Sequence, residues 1–130
     1  MSNALFHHTV TLYLADKDNS TYERRTVETV RVRSRRGRSP KDTEMTVYLP
    51  LYGRRQLRYV TPEAYERNPA VYRFTVRPGD SVALGHRTDT LPPADALTVD
   101  TVTVYTDGTR RLWHIRLTAV PPSQESEVTV

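Results

Sequence analysis

The side chains with the most chemical potential in this chain are arginines. Arg31, Arg33 and Arg35 alternate with Val30, Val32 and Ser34, and Arg36, Arg38 and Lys41 follow around Gly37 and Pro40. Alternation at period two places the first three guanidiniums on one face of a strand. The remainder reads as a basic loop, too polar to pack. Guanidinium pairs bidentately with carboxylate or phosphate, so the segment suits an acidic partner surface or the phosphates of DNA. With no recognition helix beside it, phosphate contact without base reading is the nucleic-acid mode it fits. The same pattern also serves as a solvated edge that discourages strand-to-strand aggregation.

Other reactive residue types do not converge. His7, His8, His86 and His114 show no helical i, i+4 pair of the zinc-protease kind. No serine sits in a Gly-x-Ser-x-Gly context, and the five glycines are too scattered for a phosphate loop. Asp16, Asp18 and Asn19 lack the spaced glycine and terminal glutamate of a calcium loop and read as a hairpin turn. Eight tyrosines could stack on bases, but most fall at alternating strand positions, where tyrosine packs and keeps its hydroxyl wet. Cysteine is absent, which removes disulfides, thiolate nucleophiles and Cys-type zinc sites. A non-enzymatic role without metal or cofactor is the expectation.

The bulk properties agree with a modest basic domain. The 130 residues carry a formal charge of +4 with 15 acidic groups interspersed, and Lys17 and Lys41 are the only lysines. A chain of this length forms one domain and buries roughly two thirds of its unfolded surface. No apolar run approaches the ~20 residues of a membrane span, and a soluble chain is expected.

The elements that must position the arginines are strands. Residues 1–7 read as a flexible lead-in, 8–120 as a single β-barrel domain and 121–130 as a polar tail. Val10, Leu12 and Leu14 alternate on one face of a first strand, residues 16–20 turn, and a second strand, with room for a bend, runs from residue 22 to 35. Met45, Val47 and Leu49 share a face of a third, ended by Pro50. Thr61, Pro62, Glu63 and the Asn68-Pro69 stop delimit the one helix signal, two turns at most. Phe74 and Val76, then Val82 and Leu84, flank Pro78-Gly79-Asp80 and read as a hairpin around which the chain is organised. The odd Leu97 and Val99 and the even Val102 and Val104 need a bulge near Asp100-Thr101. Asp107-Gly108 marks a type I′ turn into a return strand over 111–118, with Trp113, Ile115 and Leu117 on one face. Six to eight short strands and one short helix favour a small antiparallel β-barrel or compact sandwich.

In this order the segments resemble a family of small proteins from the head–tail joining region of tailed bacteriophages. The resemblance rests on Val10-Thr11-Leu12-Tyr13, the Tyr/Thr/Val strand over 22–32, Val47-Tyr48-Leu49-Pro50, Tyr59-Val60-Thr61-Pro62-Glu63, Arg77-Pro78-Gly79-Asp80 within 74–85, and Trp113-His114-Ile115. It is similar to head-closure (stopper) proteins of the phage neck, and it implies a β-barrel subunit of a homo-oligomeric ring, hexamer or dodecamer. Its implied partners are further copies of itself, the portal or adaptor protein, a tail-terminator or tail-tube protein, and packaged double-stranded DNA held by non-specific contact. The implied location is the virion's head–tail interface, after assembly in the host cytoplasm. Such family members tend to carry an aromatic where residues 31–36 stand, so the basic face rests on charge alone. Two alternatives stay open: a tail-completion, tail-terminator or minor capsid protein of the same virion, and a free small-barrel nucleic-acid-binding module.

Overall fold

The structure, a computed structural model, describes residues 8–16, 21–35, 44–51, 57–109 and 113–122. In chain order the elements are β1 (His8–Ala15), β2 (Tyr22–Arg35), β3 (Glu44–Pro50), β4 (Arg58–Tyr59), α1 (Pro62–Arg67), β5 (Arg73–Phe74), β6 (Ser81–Leu84), β7 (Leu97–Tyr105) and β8 (His114–Val120). Six strands close a barrel in the order β1-β2-β3-β8-β7-β6, with β6 returning to β1, and every barrel pair is antiparallel. The chain is mainly β, as its alternation implies.

The long strand β2 serves two neighbours. Its first part pairs with β1, and residues 31–35 pair with β3. Between them His8 faces Val30 while Thr9 faces Glu28, so Thr29 is the extra residue of a bulge, and its φ is +61°. A bulge bends a strand and shifts its side-chain phase by one residue. That shift lets odd-numbered Val27 and even-numbered Val30 both reach the core. The bend anticipated between residues 22 and 35 is thus a barrel corner. The second anticipated bulge lies in β7, where the register shifts between Val99 and Thr101 around Asp100.

The barrel is filled by Val10, Leu12, Leu14, Val47, Leu49, Ile115 and Leu117, with Met45 and Ala119 beside them. Residues 57–80 form an excursion that packs on this core through Leu57, Tyr65, Phe74 and Val76. Helix α1 follows its sequence signals: Thr61 Oγ1 accepts from the Ala64 amide at 3.3 Å, Pro62 opens the helix and Asn68 caps its end.

The 74–85 stretch corrects the sequence reading. It is not a hairpin. Strand β5 pairs in parallel with β4, through Arg58–Arg73 and Tyr59–Phe74, while β6 lies between β1 and β7. The Pro78-Gly79 turn is present, with Gly79 at φ +99° and the Asp80 amide donating to the Arg77 carbonyl. Backbone bonds from Gly79 to Val99 and from Val99 to Asp80 then draw the chain onto β7 rather than back along β5. Leu84 is also exposed rather than buried beside Val82, because β6 meets β7 only at Ser81 and Val82.

The return strand differs as well. Strand β8 runs from His114 to Val120 and Trp113 precedes it, half-buried, while residues 111 and 112 of the expected strand lie outside the described residues. Gly108 keeps the positive φ, +76°, expected of the Asp-Gly turn. Residues 17–20, the lead-in over 1–7 and the tail from 123 lie outside the described residues.

Candidate binding face

The barrel's outer wall carries the basic strand. Register places Arg31 opposite Tyr48, Tyr48 opposite Arg116, and Arg116 opposite Thr103, so these four form one row across β2, β3, β8 and β7. A second row reads Arg33, Thr46, Thr118, Thr101, and a third joins Pro50, His114 and Tyr105. Their chain neighbours Met45, Val47, Leu49, Ile115, Leu117 and Ala119 are all buried, so period-two alternation turns the rows outward.

The row members hold one another. The Arg31 guanidinium lies over the Tyr48 ring, 5.3 Å from its centroid. Tyr48 and His114 rings meet at 6.1 Å, and Tyr105 stacks on His114 at 4.8 Å with 18° between planes. A cation over an exposed ring gains about 0.5–1 kcal/mol and, more to the point, loses rotational freedom before any ligand arrives. The Thr101 and Thr118 hydroxyls are hydrogen-bonded to each other at 2.6 Å. None of the three rows contains a carboxylate; Glu44, opposite Arg35, and Asp100, in the β7 bulge, border them. Three guanidiniums and several hydroxyls thus share a wall with no internal counter-charge.

Of the residues singled out from sequence, Arg31 and Arg33 belong to this wall and Arg35 ends β2 opposite Glu44. Arg36, Arg38 and Lys41 lie outside the described residues. Sequence reasoning missed Tyr48, Arg116, His114 and Tyr105. Their outward parity was readable, since Arg116 sits between Ile115 and Leu117. Their adjacency to Arg31 was not, because it depends on the pairing of β3 with β8.

Elsewhere polar side chains tie elements together. Arg25 clamps the excursion to β2: its Nε donates to the Arg73 carbonyl at 2.8 Å, and its Nη2 to the Tyr65 hydroxyl at 2.8 Å and the Ala70 carbonyl at 3.1 Å. The Tyr65 hydroxyl donates in turn to Glu23. Burial first, and then Glu23, push the Tyr65 phenol up to about 12. A groove of about 370 Å³ beside this clamp is lined by Asp16, Glu23, Glu66 and Arg77, with Glu66 3.5 Å from Arg77. At the surface Asp95 is held below the usual carboxylate range by its hydrogen bonds to Arg87. No group of three or more His, Asp or Glu side chains able to hold a metal occurs among the described residues, and no helix among them is long and apolar enough to cross a membrane.

A family model matches residues 5–120, the whole span from β1 to β8. The chain belongs to a family of unknown function (DUF6751). The matched span takes in the Thr29 corner, the excursion and all three outer rows, so the wall lies inside the family's domain and not on an appendage. No curated protein and no solved structure matches the chain.

Proposed function

We propose that the chain is a structural subunit of a bacteriophage neck, a head-closure (stopper) protein. In this reading identical copies form a ring between the portal or adaptor and the tail, and the ring retains packaged double-stranded DNA. The observation that supports it most is that the resembling segments in β1, β2, β3, β6 and β8 belong to one closed antiparallel barrel, the fold class expected of these subunits, while those over 59–63 and at Phe74 belong to the excursion packed on it.

Closure of the barrel bears on how a ring would form. Each barrel strand has a partner on both sides, but β7 pairs with β6 only at Leu97 and Thr98 and with β8 alone over 101–105. In this reading copies therefore meet through side-chain faces, loops or that one-sided edge. A ring needs head-to-tail contacts that close by rotation. The basic segment over 35–42, which beyond Arg35 lies outside the described residues, is by its charge the candidate in this reading for opposing DNA in the lumen or for meeting an acidic rim of the adaptor or tail. The role is mechanical and not enzymatic, and its site is the virion's head–tail interface.

The outer wall of Arg31, Arg33, Arg116, Tyr48 and His114 also favours a second reading, a small-barrel nucleic-acid-binding module acting alone. Location separates the two. Gold-labelled antibody against the chain, applied to virions and imaged, should mark the head–tail junction. Label at the tail end would make it a tail-completion or tail-terminator protein, and absence from virions would leave the free module.

A further inference from the structure

We infer that the outer wall of β2, β3, β8 and β7 is a docking surface for the phosphate backbone of duplex DNA, with Arg31, Arg33 and Arg116 as its phosphate ligands. Arg31 and Arg33 stand two residues apart on one strand, about 6.6 Å, and Arg116 stands two strands from Arg31, about 10 Å. The three charges therefore cover a patch instead of a line. Thr46, Thr118, Thr101 and Thr103 fill the positions between and beside them, and hydroxyls are ordinary phosphate donors. The absence of carboxylates from these rows is the complementarity that a polyanion needs.

Duplex is favoured over single strand by what the rings already do. Tyr48 carries the Arg31 guanidinium on its ring, and Tyr105 is stacked on His114. Both rings are engaged with their own neighbours, Tyr48 with the Arg31 guanidinium and Tyr105 with the His114 ring, whereas a single-strand platform offers rings to splayed bases. Tyr48 is thus a positioning residue for Arg31. The choice of duplex rests on the neck reading.

The test is equilibrium binding of the purified full chain to a duplex and to a single strand of the same sequence, across a salt series. For the native chain, log K should fall against log salt with a slope of about −2.7 for three phosphate contacts. Arg31→Gln with Arg116→Gln should weaken duplex binding by about tenfold to a hundredfold near 0.1 M salt and flatten the slope by about 1.8. Arg58→Gln with Arg67→Gln, an equal charge change at exposed positions elsewhere, should leave the slope unchanged. Arg31→Lys keeps the charge and should keep the slope, while Tyr48→Leu should weaken binding less than Arg31→Gln does. Equal losses in both double variants would mean bulk charge only and overturn the inference. So would preference for single strands, or a shift in oligomeric state with duplex affinity intact. Binding is measured without a virion, so an inert wall on a neck protein and a binding wall on a protein absent from the virion are separate results.

Discussion

Asp80 Oδ1 accepts a hydrogen bond from the backbone N–H of Ala15 at 3.0 Å, tying the turn before β6 to the end of β1. Its Oδ2 accepts from the Arg77 amide at 2.8 Å, so one buried carboxylate fixes both the turn and the strand it must pair with. This contact belongs to the chain's departure from a simple hairpin over 74–85, since it sets β6 beside β1.

Burial pushes the Asp80 carboxyl above its ordinary 3.8, and the Ala15 and Arg77 amides offset only part of that. A carboxyl raised on folding holds its proton more tightly in the native state. Its contribution to stability is fully present below the unfolded value and is lost as pH rises through the folded one. The stability of the native chain relative to Asp80→Asn, from urea melts, should therefore fall as pH rises from the ordinary carboxylate range toward neutrality, then level off. A difference that grows over that range would contradict the burial argument.

Tyr65→Phe should cost about 1–2 kcal/mol, because the phenol bridges Arg25 and Glu23 while Arg25 keeps its bonds to the Arg73 and Ala70 carbonyls. The effect should be local. Hydrogen exchange at the Tyr65 and Asn68 amides, which close α1, should accelerate while β3 and β8 amides do not change. Unaltered exchange in the helix would show that packing alone holds it.

Thr29→Gly should stabilise the fold by about 1 kcal/mol, since a β-branched residue at φ +61° is strained and glycine is not. Urea midpoints with an unchanged slope would measure it. Destabilisation would mean that the Thr29 side chain contributes more at the corner than its backbone costs.

Local pattern made much of the barrel legible. Val10, Leu12 and Leu14, or Met45, Val47 and Leu49, announce a buried face within a few residues, and Thr61-Pro62 announces a helix start. Even the β7 bulge at Asp100 shows, because the apolar phase changes parity. What alternation does not carry is partnership. Phe74, Val76 and Val82 look like two arms of a hairpin, yet the arms pair with β4 on one side and with β1 and β7 on the other. The candidate wall was half visible for the same reason. Arg31 and Arg33 are neighbours in sequence, whereas Arg116 and His114 join them only through long-range register.

The neck assignment is tested most directly by electron microscopy of phage particles made with and without this chain. The expected result is heads that package DNA and lose it, lying beside intact, unattached tails. Normal infectious particles made without the chain would contradict the assignment.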